Sequence, residues 1–196
     1  MSQIVMPMYN PSATAVQFHT DDSFVRGVVA GVGTGKSVMM IQELLRRGFQ
    51  QDPGPDGVRR TRMGLVRATY PNLRTTTVKT FSHWVPPLLA PVRQTAPMTS
   101  VFAGGLPDGT RFEMEFVFIA LENAQDVQKL KSFEFTMIFI NEAREVAFEV
   151  YDVCKERVGR FPPLDPLTNQ GGCTFSGVIF DSNPPDEDHW IAKLDR

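Results

Sequence analysis

Three observations predict an α/β fold: a three-layer domain on a mainly parallel central sheet, with an added antiparallel hairpin. First, apolar strand-like runs alternate along the chain with segments of helical period, the pattern of a parallel sheet covered by helices. Second, Met137-Ile-Phe-Ile140 and Gly177-Val-Ile-Phe180 are continuously apolar, as strands buried on both faces are. Third, a Gly-rich turn, Ala30-Gly-Val-Gly-Thr-Gly-Lys-Ser37, joins the first strand to the first long helix. The 196 residues suffice for one domain with a real core, and 42% hydrophobic and 21% charged residues are ordinary for a globular chain.

The elements follow in order. Residues 1–24 read as an entry arm containing Tyr9-Asn-Pro11 and Gln17-Phe-His19. Arg26 to Ala30 is the first predicted strand. Lys36 to Arg47 is a helix with Val38, Ile41, Leu44 and Leu45 on its apolar face. Gln51 to Gly57 is a loop by its Pro and Gly content. Met63 to Arg67 is the second strand. Pro71 opens a helix carrying Leu73, Val78, Phe81 and Trp84, and Pro86-Pro87 ends it. Val101 to Ala103 and Thr110 to Leu121 flank Leu106-Pro-Asp-Gly109, a hairpin signal. The second arm alternates Phe112, Met114, Phe116 and Phe118 with Arg111, Glu113 and Glu115. Asn123 to Lys131 is a short helix, Met137 to Ile140 a buried strand, Glu149 to Arg157 a helix, and Gly177 to Phe180 a further buried strand.

Composition excludes several classes. A net charge of −2 rules out a surface that binds polyanions through overall charge, so any DNA contact must come from a local patch. The densest basic segment holds Arg59, Arg60, Arg62, Arg67, Arg74 and Lys79; a solvated surface balanced by acids elsewhere is the competing reading. Cys154 and Cys173 are isolated and form no CxxC pair, which suggests free thiols in a reducing compartment. No apolar run is long enough to span a membrane, and the N-terminus lacks a signal-peptide pattern, so a cytoplasmic location is expected.

The Gly-rich turn carries chemistry. Ala30 stands where the phosphate-loop pattern G-x-x-x-x-G-K-[ST] has its first Gly, and Gly35, Lys36 and Ser37 supply the rest. Gly31, Gly33 and Gly35, with Val32 and Thr34 between them, let several backbone N–H groups converge on one concavity. The helix that follows adds its positive N-terminal end. Lys36 is then placed to reach β- and γ-phosphates, and the Ser37 hydroxyl to sit on Mg²⁺. The strand before and the helical period after distinguish this from a plain Gly-rich turn.

Met137-Ile-Phe-Ile-Asn-Glu142 ends a buried strand in polar residues, at the edge where open α/β sheets bind ligands. Many phosphate-loop motors have Asp-Glu there. Asn141 takes the Asp position; its amide lacks a full charge but can hydrogen-bond a metal-bound water. Glu142 is the candidate catalytic base or water-positioning group. A strand end followed by a helix cap is the alternative. Ser182 and Asn183 end the other buried strand and are candidates for sensing the γ-phosphate; on spacing alone an ordinary strand-to-turn junction is the stronger reading.

Together with Val66-Arg-Ala-Thr-Tyr-Pro71, Ile140-Asn-Glu-Ala-Arg-Glu145, Arg157-Val-Gly-Arg-Phe-Pro162 and Asp181-Ser-Asn-Pro-Pro-Asp-Glu-Asp-His-Trp190, these motifs resemble the ATPase domain of the large terminase subunit of tailed bacteriophages over nearly the whole chain. The resemblance implies a P-loop NTPase fold of the additional-strand, catalytic-glutamate (ASCE) type, with 1–196 as a single ATPase domain and 1–24 as its adenine-side arm. It implies ATP and Mg²⁺ as cofactors. The implied partners are double-stranded DNA, a portal protein and a small terminase subunit. The motor would form a ring on the procapsid in the host cytoplasm, yet be a monomer in isolation. Gln17 matches the element that recognises adenine. Tyr9 would stack on the base, a hydrophobic strap over the sheet being its other reading. Ser182 and Asn183 match the coupling motif.

Two departures matter. Where many terminases carry an Arg-Gly pair whose Arg acts on the neighbouring subunit's ATP, this chain has Lys131-Ser132. The trans-acting cation is therefore Lys131 or one of Arg144, Arg157 and Arg160, with surface salt bridging the competing reading for each arginine. Full large terminases also continue into an RNase H-like nuclease domain. Asp186, Glu187 and Asp188 are adjacent in a Pro-rich turn and read as solvated, so no nuclease activity is expected of these residues. The rival functions are another P-loop DNA-dependent ATPase of helicase-like type, and a nucleotide-binding assembly switch with little hydrolysis, which the neutral Asn141 keeps open.

Overall fold

The computed structural model describes residues 6–122, 124–168 and 171–194. Its strands are β1 (Val25–Val29), β2 (Val58–Arg67), β3 (Met98–Gly105), β4 (Arg111–Ala120), β5 (Met137–Ile140) and β6 (Gly177–Ser182). They form one sheet in the order β1-β6-β5-β2-β4-β3. All neighbouring pairs are parallel except β3 and β4. The last strand in sequence, β6, is thus inserted between β1 and β5, the additional-strand layout that the family resemblance implies.

Alternation along the buried strands makes the three layers. Met137 and Phe139 of β5 join one core, Ile138 and Ile140 the other. The first core is covered by α2 (Lys36–Gln50), through Met40, Ile41 and Leu44, and by α4 (Val78–Trp84), through Phe81. The second is covered by α5 (Ala124–Leu130), α6 (Phe148–Arg157) and α7 (Trp190–Leu194), through Leu130, Tyr151, Cys154 and Ile191.

Several boundaries differ from expectation for identifiable reasons. β2 begins at Val58 rather than Met63. Its early charged residues are tolerated because Arg59, Arg60 and Arg62 pair with Asp108, Asp56 and Glu115. The first arm of the hairpin is longer than expected, and of the two readings open to the hairpin, an elaboration or extra strands in the same sheet, the second holds: β4 pairs with β2 from Val58↔Arg111 to Arg67↔Ala120. Its alternation holds, with Phe112, Met114, Phe116 and Phe118 buried and Arg111 and Glu113 exposed. The helix at Pro71 comes in three pieces: α3 (Tyr70–Asn72), a π-helical turn (Leu73–Thr77) and α4. Thr69 caps its start by accepting from the Asn72 amide.

The arm is fastened by a buried carboxylate. α1 (Ala13–Thr20) delivers His19, whose Nδ1 lies 2.7 Å from Glu43 Oε2 on α2. Glu43, fully buried, also pairs with Arg26 at 2.9 Å and accepts from Arg47 Nε at 2.8 Å. Arg26 donates onward to the Phe18 and Asp21 carbonyls, which closes the arm onto β1.

Candidate nucleotide-binding site

The turn between β1 and α2 is an open cradle. Gly33 (φ 79°) and Gly35 (φ 80°) sit in the left-handed region, which side-chain-bearing residues rarely adopt. A Cβ added at Gly31, Gly33 or Gly35 would meet nothing within 4 Å, so the concavity is clear. Gly35 is the N-cap of α2 and supplies no side-chain cap, leaving the first amides of a 15-residue helix free for an anion. Val32, at the tip, is 87% exposed.

Lys36 and Ser37, the first residues of α2, point to different partners. Lys36 Nζ donates to the carbonyls of Ala30 and Gly31, both at 2.8 Å, and to Asn183 Oδ1 at 3.1 Å. Ser37 Oγ donates to Asp181 Oδ2 at 2.5 Å. Asp181, on β6, is fully buried and is the hub of the site. Asn141 Nδ2 donates to both of its oxygens, at 2.9 and 3.1 Å, and to Ser37 Oγ at 3.1 Å. The Glu142 amide donates to Asp181 Oδ1 at 2.7 Å. Burial, with the neighbouring Glu142 charge, raises the Asp181 pKa above the usual carboxylate range against these donors.

Glu142 is therefore on the same sheet edge as the loop. Its backbone is left-handed (φ 52°), the one such non-glycine among the described residues, and its Oε2 is buried with no hydrogen-bond partner. Strain at a site-edge residue and an unsatisfied carboxylate oxygen are the marks of a group arranged for a ligand.

The donor chemistry fits a hard divalent cation. Ser37 Oγ, the Asp181 carboxylate and Glu142 Oε2 are all oxygens. Among the described residues no three His, Cys, Asp or Glu side chains cluster as a metal cage. The cradle and its free amides fit a nucleotide's phosphates equally well.

A cavity of about 470 Å³ opens beside the loop, lined by Tyr9, Thr34, Lys36, Val38, Met39 and Trp84 among others. Tyr9 lies edge-on to Trp84, with its hydroxyl 3.1 Å from His19 Nε2. Gln17 does not join this wall: it is exposed on α1, and Asn10, Ser12 and Thr14 line the cavity on the arm side. Ser182 is buried, with its hydroxyl donating to the Asn183 carbonyl; its own carbonyl accepts from the Ala30 amide. Of these two residues, Asn183 is the one whose side chain touches Lys36 of the loop.

The candidate trans-acting cations are spread out. Lys131 and Arg144 are exposed. Arg157 is half-buried and donates to the Phe133 carbonyl, and Arg160 donates to the Glu156 carbonyl. The basic segment is not a free patch. Arg59, Arg60 and Arg62 are paired as above and Arg67 is buried beside Glu145, which leaves Arg74 and Lys79 exposed. Asp186, Glu187 and Asp188 are exposed, as expected. Among the described residues no helix is long and apolar enough to cross a membrane.

The residue that the sequence reading missed is Asp181. The signal was present: Ile140 pairs with Phe180 on adjacent parallel strands, so Asn141 and Asp181 are the next residues on both. An amide at one such position calls for a carboxylate at the other.

No protein-family model matches the sequence, and no curated protein matches it. Solved structures do. The large terminase of a thermophilic bacteriophage superposes with a TM-score of 0.64 at 13% identity, over 95% of this chain and 44% of that one. The large terminase ATPase domain of Thermus phage P74-26 gives 0.57 at 17% identity, over 95% and 69%. The large terminase of bacteriophage HK97 gives 0.57 at 12%, over 97% and 37%. Further structures of the first of these terminases hold ADP or ATP-γ-S. The chain spans under half the length of the first and third of these proteins. Its fold is that of the ATPase domains of phage large terminases.

Proposed function

We propose that this chain is the ATP-hydrolysing motor domain of a viral large terminase, driving double-stranded DNA into the procapsid. One observation carries the reading: Glu142, strained and with an unpartnered carboxylate oxygen, is tied through Asp181 to Ser37 of the phosphate loop. The ADP and ATP-γ-S complexes of the thermophilic phage's large terminase, which shares this fold, support the choice of nucleotide.

In this reading the loop amides and the α2 N-terminus hold the triphosphate. Lys36 exchanges its carbonyl partners for phosphate oxygens. Ser37 and the acid-bearing strand edge beside it would hold Mg²⁺, which when bound neutralises charge on the β- and γ-phosphates. Glu142 orients water for in-line attack and takes its proton. Asn183, in contact with Lys36, relays loss of the γ-phosphate to β6 and so to a moving element. Tyr9 flanks the base. A neighbouring subunit supplies a cation, with exposed Arg144 and Lys131 the residues free to do so; such a residue is worth about 10³ to 10⁵ in rate. Portal, small subunit and ring assembly belong to the same proposal, as does the host cytoplasm.

The test is phosphate release with Mg·ATP across protein concentrations. Weak turnover that rises with concentration is expected of a site completed in trans. Glu142→Gln should cut release by about 10² to 10⁴ while nucleotide still binds. The neutral Asn141 favours a second reading, an assembly switch that binds ATP without hydrolysing it; release indifferent to Glu142→Gln would select that one.

A further inference from the structure

The position that normally carries the metal-directed acid holds an amide here, and its side chain is turned the wrong way for a cation. Asn141 Oδ1 is occupied by the Thr77 hydroxyl, which donates at 2.7 Å in a buried contact. The opposite end, the NH₂ group, faces Ser37 and Asp181. In this orientation the Asp181 oxygens accept from the amide nitrogen while Asn141 Oδ1 accepts from Thr77. Flipping the amide would place its oxygen against the Asp181 carboxylate and remove one of the three donor groups around it.

Asp181 is the opposite case. It is fully buried, yet its hydrogen-bond donors are a hydroxyl, a side-chain amide and a backbone N–H, all neutral. Among the described residues no ion pair reaches it. Lys36 is committed elsewhere, to Ala30, Gly31 and Asn183. A buried carboxylate with no countercharge is costly to ionise, and a nearby divalent cation would offset that cost. The hydroxyl it holds is that of Ser37, the phosphate-loop residue whose oxygen suits Mg²⁺.

We propose that Asp181 on β6, and not residue 141 on β5, supplies the negative charge directed at the divalent cation of the nucleotide site, with Asn141 a positioning residue that aims the Asp181 carboxylate. The metal-directed acid has moved one strand across the sheet. The inference rests on the nucleotide-binding reading above.

The experiment measures ADP and ATP-γ-S binding by calorimetry, with Mg²⁺ and with chelator, for the wild-type chain, Asp181→Asn, and the exchanged pair Asn141→Asp with Asp181→Asn. Bound Mn²⁺ is counted separately by its paramagnetic resonance signal in the presence of ADP. Asp181→Asn should lose the Mg²⁺-dependent gain in affinity, by about 10- to 100-fold. In chelator its affinity should fall by less than it does with Mg²⁺, since Asp181 holds Ser37 while the loop amides that meet phosphate stay in place. The exchanged pair, which restores one acid and one amide in a common site, should recover most of the gain and the Mn²⁺ signal. The exchanged pair also guards against a folding failure in the single variant, and the Mn²⁺ signal separates restored metal binding from restored packing. Undiminished Mg²⁺ dependence in Asp181→Asn, or an exchanged pair that folds and binds nucleotide without regaining it, overturns the assignment. Absence of nucleotide binding by the wild-type chain would instead overturn the underlying reading.

Discussion

Thr77, the last residue of the π-helical turn, donates its hydroxyl to Asn141 Oδ1 at 2.7 Å, and so ties a surface helix to the tip of the central strand β5. Thr77 is 2% exposed and Asn141 4% exposed, so water cannot replace this bond. Thr77→Val keeps the shape and removes the donor. It should cost about 1–3 kcal/mol through the orphaned Asn141 oxygen. At roughly 2–4 °C per kcal/mol for a chain of this size, thermal unfolding will show it. Thr77→Ser keeps the donor and should melt close to the wild type. Equal melting of the valine and serine variants would mean that the bond carries nothing.

Lys36 must leave at least part of its present setting to meet phosphate, and Asn183 is one of the three oxygens that hold it. Asn183→Ala weakens the ligand-free arrangement by one charge-assisted hydrogen bond. ADP affinity should therefore rise by about 10- to 100-fold, the net worth of a hydrogen bond from a charged donor. Titration calorimetry reads this directly. Weaker ADP binding in the variant would place Asn183 in the liganded state instead. A change seen with ATP-γ-S and not with ADP would make it a γ-phosphate sensor.

Glu43 anchors the arm by charge. Burial opposes its ionisation, but hydrogen bonds from His19, Arg46 and Arg47 and the charge of Arg26 outweigh that and hold its pKa at about 2, below the ordinary 4.5. A carboxylate whose folded pKa is depressed contributes stability above its unfolded pKa and loses it as pH falls to the folded value. Stability should therefore fall as the pH drops from about 4.5 towards 2. Glu43→Gln should lose about 3–5 kcal/mol near neutral pH, because Arg26 stays buried without its counterion and Arg47 keeps only Asp22. It should also flatten the acid limb. Denaturant titrations at stepped pH will show whether that limb survives in the variant.

Much of the fold was legible because its signals are local. The strand, Gly-rich turn and amphipathic helix of residues 26–47 announce themselves within one window, and the alternation in Phe112 to Phe118 sets its own faces. The start of β2 was not legible, because Arg59, Arg60 and Arg62 read as a basic segment until Asp108 and Glu115 of distant chain are placed beside Arg59 and Arg62, with Asp56 pairing locally to Arg60. The same holds at the site. Lys36, Ser37 and Glu142 follow from motifs, whereas Asp181 acquires meaning only once β6 is known to lie next to β5. Gln17 shows the converse: a motif can be matched in sequence while helix geometry turns the side chain to solvent. The π-helical turn had no signal, since Leu-Arg-Thr-Thr-Thr is compatible with an ordinary helix and tertiary contacts decide.

That turn has one residue more than an α-helix would need, and its width absorbs the surplus. An α-helix advances about 100° per residue, so the same extra residue in a regular helix would swing everything beyond it by about that angle. Taken up within Leu73–Thr77 instead, it leaves Tyr70 at Met98 and Phe81 in the core while carrying one more side chain around the turn. A helix shortened by that residue would be more regular, and the contact at stake would be the threonine hydroxyl that steadies the neighbouring strand.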